Sequence, residues 1–281
     1  MFRNSLVLLL SFIRFSKNEC FFFIAPLASM NMKARTRGHF FQGLIFDLYG
    51  TLVQIFHHAE YAENLHAIVD ALDLEADRFL DAWSRSWEDF PFGEYPSVRV
   101  RFLNALAKYH GSETFSIPPR LDEAVTLRFE YIRQQNLRIK DGALDALAWA
   151  RSESYKLGLI SNCSIETADS WQDNPLSEYI PNPTLSCIVK MKKPDPAIFL
   201  AEMNRMGVND PRRCIYVADG DDHEFDTARE LGMETILVQY DPEDAYRHEP
   251  FPDDIPRVIE HFADLPLSVR EIEEATKARE A

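Results

Sequence analysis

One short stretch limits what this chain can fold into more than any other: Gly43-Leu44-Ile45-Phe46-Asp47-Leu48-Tyr49-Gly50-Thr51-Leu52-Val53. Its apolar opening reads as a buried strand, and the strand ends on a carboxylate followed by the turn chemistry of Gly-Thr. Aspartate is a poor strand former and costly to bury unpaired. At the C-terminal end of a strand, however, it faces the crevice where open α/β sheets bind ligands.

After Val53 the apolar period changes from strand to helix. Tyr61, Leu65, Ile68, Val69 and Leu72 recur at helical spacing, as do Phe79, Leu80, Trp83 and Trp87. Val98, Phe102, Leu106 and Tyr109 mark a third helix, and Leu121, Val125, Phe129 and Ile132 a fourth. Four amphipathic helices with no strand between them predict a small bundle, residues 54–137, inserted into another domain with joints near Gln54 and Leu137. From Asp141 onward helix and strand alternate. Strands are expected over 156–162, 184–189, 214–219, 234–239 and 258–262. Asp195 before Pro196 has the form of a helix N-cap. The strand 214–219 again ends on a carboxylate, Asp219. A polar helix follows the last strand, and 271–281 is read as a polar tail. This alternation predicts a doubly wound parallel α/β sheet built from residues 39–53 and 138–270.

Residues 1–38 are left outside that fold. The run from Leu6 to Ile13 is too short to span a membrane, and Arg14, Lys17 and Glu19 interrupt it before Phe21. Pro26-Leu27-Ala28 makes a poor cleavage signature. The stretch is read as an unstructured leader or as sequence ahead of a start at Met30 or Met32. A cytoplasmic protein is expected, with organelle targeting as the alternative. The first forty residues set Arg3, Arg14, Lys17, Lys33, Arg35 and Arg37 against Glu19 alone, yet the chain carries −15 overall. The remainder is therefore strongly acidic, which argues against nucleic-acid binding and leaves a small-molecule substrate as the expected partner. Cys163, Cys187 and Cys214 lie at apolar runs without C-x-x-C spacing and read as buried thiols.

In a parallel sheet all C-terminal strand ends share one edge, so Asp47, Ser161 and Asp219 can meet there, joined by Lys193 from a loop ahead of a helix. Asp47 can attack an electrophile to give an aspartyl ester or acyl phosphate that water then hydrolyses. Lys193 lowers the cost of gathering anions, and Ser161 can hydrogen-bond a substrate oxygen. Asp219 beside Asp47 is repelled by it unless a cation lies between them, and an all-oxygen site of this kind suits Mg²⁺. Other charged or aromatic residues have plainer readings. Lys190 and Lys192 are expected in solvent, Asp221 and Asp222 near a helix N-terminus, His223 and Arg85 on the surface, and Trp83 and Trp87 in the bundle core.

Taken together, these motifs resemble the haloacid dehalogenase superfamily of hydrolases with a helical cap inserted after the first strand. Asp47 and Thr51 match its first motif, Ser161 the second, Lys193 in Lys-Pro-Asp-Pro the third, and Asp219 with Glu224 the acidic fourth. The resemblance implies Asp47, Ser161 and Lys193 as catalytic residues. It implies Tyr49, Thr51 and Asn162 at the substrate, and Asp47, Tyr49, Asp219 and Glu224 around Mg²⁺. It covers roughly residues 40–265 and names no substrate.

Tyr49 departs from the phosphatase pattern. Phosphatases of this family carry a second Asp two residues after the nucleophile, where it protonates the leaving oxygen and later activates water. Tyrosine, with a pKa of about 10 against about 4 for aspartate, does not replace it. The related dehalogenases carry an aromatic Tyr there and need neither a proton for the halide nor a metal. Asp219 points the other way, because the metal-free dehalogenases have a small polar residue at that place. So does Phe199, which stands where they tend to carry a second Tyr. The balance favours a Mg²⁺-dependent phosphatase-type hydrolase. A 2-haloacid dehalogenase-like enzyme and a catalytically weak binding protein stand as alternatives.

Overall fold

The computed structural model describes residues 38–88, 95–239, 255 and 257–280. Six strands form one sheet: β1 (Gly43–Phe46), β2 (Lys156–Ser161), β3 (Thr184–Leu185), β4 (Cys214–Ala218), β5 (Glu234–Val238) and β6 (Val258–Ile259). Their order is β3-β2-β1-β4-β5-β6, and every neighbouring pair is parallel. The chain builds outward from β1 in one direction through β2 and β3, then returns to the other side of β1 with β4. The crevice outside the carboxyl ends of β1 and β4 is therefore the switch point where such sheets take ligands.

β1 can occupy the centre because all four of its residues are apolar and buried. Leu44 and Phe46 pack on one face with Leu147 of α5 (Ala143–Ser152) and Val269 of α10 (Leu265–Glu280). Ile45 packs on the other with Phe199 of α8 (Pro196–Met206) and Phe225 of α9 (Glu224–Glu230). The period of two thus divides one strand between two cores. Asp195 caps α8 as its sequence predicts, accepting from the Ala197 amide at 2.8 Å with Pro196 in the first turn.

The insertion comprises α1 (His58–Leu72), α2 (Ala76–Glu88), α3 (Val98–His110) and α4 (Leu121–Asn136). α1 packs on α4 and α2 on α3 around a separate core that includes Ile68, Phe79, Trp83, Phe102 and Leu121. α6 (Ile165–Asp169), which follows β2, adds Ile165 to it. The outgoing and returning chains pair as a short ribbon. Gln54 N donates to Arg138 O at 2.8 Å, Lys140 N donates to Leu52 O at 2.9 Å, and Val53 bridges Ile139 antiparallel. The buried Lys140 ammonium adds a hydrogen bond to the Gly50 carbonyl, tying the ribbon to the loop after β1.

Three expectations change in detail. The strand over 184–189 stops at Leu185, and Ser186–Val189 turns into a short helix, α7. Ser186 Oγ accepts from Cys163 N at 2.9 Å and donates to Cys163 O at 3.2 Å, a local contact that competes with a continuing ladder. Residues 271–280, read as part of a polar tail, belong to α10, where Ile272, Glu273 and Thr276 are buried and Glu273 accepts from the Phe40 amide. In α4 the buried stripe is Leu121, Ala124, Arg128 and Ile132, whereas Val125 and Phe129 are half-buried. Cys163, Cys187 and Cys214 are free and buried. The leader, apart from Gly38, lies outside the described residues, as do the side chains of Trp87 and Asp222. Among the described residues no helix is long and apolar enough to cross a membrane.

Candidate active site

Asp47 directly follows β1 and Asp219 directly follows β4, and Phe46 pairs in register with Val217. Parallel pairing thus sets the two carboxylates side by side at the switch point, 4% and 2% exposed. Gly50 makes this approach possible: its φ is +76°, and a Cβ there would collide with Asp219 Oδ2. Asp219 Oδ1 also accepts from the Asp221 amide at 3.2 Å.

Lys193 brings the opposite charge. Its buried ammonium lies 2.5 Å from Asp47 Oδ1 and 2.5 Å from Glu224 Oε2. Its neighbours Lys190 and Lys192 are exposed, in line with their expected place in solvent. Asn162 clamps the Lys193 backbone from both sides, accepting from its N–H at 2.8 Å and donating to its carbonyl at 3.1 Å. Asn162, expected at the substrate, lines the cavity and also positions the lysine through its amide. Glu224, at the start of α9, is fully buried. Its Oε2 also accepts from the Tyr216 hydroxyl at 2.6 Å, and its Oε1 from the Gly220 amide at 3.1 Å.

Carboxylate oxygens of Asp47, Asp219 and Glu224 lie within 4.8 Å of one another, and the Lys193 ammonium pairs with the first and the last. Burial drives the Asp47 carboxyl above its usual range against the pull of Lys193. Burial likewise lifts Glu224 to about 8; Lys193 opposes this, and the charges of Asp47 and Asp219 add to it. An excess of buried negative charge on oxygen-only donors fits a hard cation such as Mg²⁺. Asp47 and Asp219 would hold it, because Glu224 Oε2 already serves Lys193 and Tyr216 and its Oε1 the Gly220 amide.

Two further expectations meet different surroundings. The Tyr49 hydroxyl donates to Asn136 Oδ1 at 2.6 Å and lies 2.8 Å from Thr167 Oγ1, at the seam between α4 and α6. Burial holds its pKa well above the ordinary tyrosine value. The hydroxyl is thus held at that seam. Tyr49 also lines the cavity. Thr51 is fully buried and is not among the residues that line the cavity. Ser161 Oγ does reach the cavity, buried and without a hydrogen-bond partner among the described residues.

These groups form one wall of a cavity of about 430 Å³. The opposite wall comes from the insertion, with Phe56, Tyr61, Leu65, Trp83, Arg101 and Arg128. Trp83 sits in the bundle core as expected, and one face of it also borders the cavity. Arg85 pairs with Asp81 at 2.8 Å on the surface, and His223 is exposed. Sequence reasoning missed Arg101, Arg128 and their acidic neighbour Glu166, all buried. A signal was present: each arginine occupies a position on its helix's apolar stripe, between Val98 and Phe102 and between Ala124 and Ile132.

In the Rhythmically expressed gene 2 protein of Drosophila melanogaster, 109 residues are 31% identical to this chain, spanning 38% of this chain and 42% of that protein. The chain therefore matches less than half the length of that relative. The 2-haloacid dehalogenase of Pseudomonas syringae pv. Tomato DC3000 shares the fold with a TM-score of 0.57 at 19% identity, over 83% of this chain and 99% of that one. A magnesium-bound HAD-type hydrolase from Bacillus subtilis does so with a TM-score of 0.52 at 17% identity, over 82% and 98%. The model of the haloacid dehalogenase-like hydrolases matches residues 41–232, and the chain belongs to that family.

Proposed function

We propose that the protein is a Mg²⁺-dependent, phosphatase-type hydrolase that works through an aspartyl intermediate at Asp47 and acts on a small phosphorylated metabolite. One observation carries this reading. Asp219 is packed against the nucleophile's loop, so the buried site holds three carboxylates and one ammonium, an imbalance that a divalent cation relieves. When bound, Mg²⁺ would draw charge from the transferring phosphoryl group. A carboxylate oxygen of Asp47 attacks phosphorus, the alcohol oxygen leaves, and water later cleaves the acyl phosphate. Lys193 orients Asp47 and offsets charge on the transferred oxygens, while Ser161 offers a hydroxyl to one of them. The bundle acts as a cap over the site, hinged on the ribbon at 52–54 and 138–140, and its closure excludes water.

With Tyr49 committed to Asn136 and Thr167, no acid replaces the missing second aspartate. The leaving oxygen then departs as an anion, which favours aryl or acyl phosphates over alkyl esters. The same tyrosine supports a second reading, a 2-haloacid dehalogenase-like enzyme, whose halide needs no proton. Against it, Phe199 is fully buried under the sheet and takes no part in lining the cavity. The test is phosphate release from p-nitrophenyl phosphate with quenched-flow trapping of the phosphoenzyme. Wild-type protein is expected to carry phosphoryl on Asp47 and Asp47→Asn none. Equal release by both proteins would end the proposal.

A further inference from the structure

The insertion wall holds a buried cation that the chemistry at Asp47 does not use. Arg128, on α4, is 4% exposed and lines the cavity. Its Nε donates to Glu166 Oε1 at 3.2 Å, but its Nη1 is buried with no hydrogen-bond partner among the described residues. Tyr61 and Trp83 flank the guanidinium carbon at 5.3 and 5.8 Å from their ring centres, so aromatic faces confine the group. Arg101 lines the same wall, 4.0 Å above the Trp83 ring. Its pKa is drawn down to about 10 by burial and then by Arg128, as expected where two guanidiniums share a dry space.

A buried N–H without an acceptor is costly, and a guanidinium edge matches a carboxylate in two parallel hydrogen bonds. We propose that this wall is a second anion subsite, in which Arg128 binds a carboxylate on the substrate at the end remote from the group that Asp47 attacks. The stretch between the two ends lies along Phe56, Tyr61 and Leu65, so the substrate class is a phosphorylated carboxylic acid with an apolar or aromatic middle. The reacting end rests on the phosphatase reading above; the Arg128 subsite does not.

Binding of non-hydrolysable probes tests this. Benzylphosphonate and 4-carboxybenzylphosphonate are titrated calorimetrically into the full-length protein with Mg²⁺, using wild type, Arg128→Gln and Arg128→Lys, each checked for folding by circular dichroism. The carboxylate is expected to tighten wild-type binding at least tenfold, to give less than a twofold advantage in Arg128→Gln, and to keep an intermediate advantage in Arg128→Lys. Should Arg128→Gln not fold, Arg128→Lys alone decides, because a merely structural arginine predicts no change in the ratio of the two affinities. Equal wild-type affinity for the two probes, or a full advantage surviving both substitutions, overturns the subsite. If neither phosphonate binds, the phosphoryl reading fails, and terephthalate against benzamide then reads the subsite by itself. Arg128-dependent preference for terephthalate keeps the subsite, and no preference removes it.

Discussion

The two walls of the cavity are built on opposite principles. The sheet wall gathers charge on residues at strand ends and helix starts, where backbone geometry rather than side-chain packing fixes position. Asp47, Asp219 and Lys193 meet there because β1 and β4 are neighbours and Asn162 clamps the lysine backbone. The insertion wall places its charge within the apolar stripes of α3 and α4, among aromatic rings. On the proposed reading the first wall makes and breaks a bond, and the second chooses what is presented to it. A fold that separates chemistry from selection in this way can change substrate without disturbing its nucleophile.

Substitutions on the sheet wall are expected to have the largest effects. Asp47→Asn should lower kcat on an aryl phosphate at least about a thousandfold, because a neutral amide replaces the carboxylate nucleophile of the proposed intermediate. Lys193→Met leaves Asp47 and Glu224 buried without their cation. Urea unfolding should register a loss of about 3–5 kcal/mol, with activity falling as well. A variant as stable as wild type would show that the ion-pair network contributes little.

A pH effect of intermediate size follows from Glu224, raised in the fold from 4.5 to about 8. Between those values the folded state keeps a proton that the unfolded chain has released, so the contribution is complete below about pH 4.5 and lost as pH rises through 8. Metal-free protein should therefore melt at lower temperature at pH 8.5 than at pH 5.5, and Mg²⁺ should restore more at the higher pH. Thermal melts in EDTA and in Mg²⁺ measure both, and parallel pH profiles would contradict a cation site. The smallest effect belongs to Tyr49→Phe. Losing the hydroxyl leaves Asn136 Oδ1 unmatched, at a cost of about 1–3 kcal/mol. Turnover should fall far less than the roughly 10²–10⁴-fold expected when a general acid is removed. A fall of that larger size would return Tyr49 to the chemistry.

The contrast between the walls also explains what could be read before the structure was known. A carboxylate that ends an apolar run is visible one residue at a time, so Asp47 and Asp219 stood out, and the strand order only had to bring them together. Lys193 was separable from Lys190 and Lys192 by its place before Pro194, and burial agrees. The insertion wall was not legible in that way. Phe129 suggested an apolar stripe in α4 one residue away from the true one, so nothing in that pattern singled out Arg128. Asn162 and Tyr49 sit where the family pattern predicts, but their bonds run to the Lys193 backbone and to Asn136, contacts that depend on tertiary approach. The last turns of α10 escaped for a related reason, since Glu273 and Thr276 are polar residues on a buried stripe.

The most direct test of the sheet wall's chemistry sets two leaving groups against each other in one preparation. Phosphate release from p-nitrophenyl phosphate and chloride release from 2-chloropropionate are followed side by side, first in EDTA and then across a Mg²⁺ titration. The account predicts phosphate release that appears only with Mg²⁺, and no chloride in either condition. Chloride release in EDTA, unchanged by Mg²⁺ and abolished in Asp47→Asn, would contradict it.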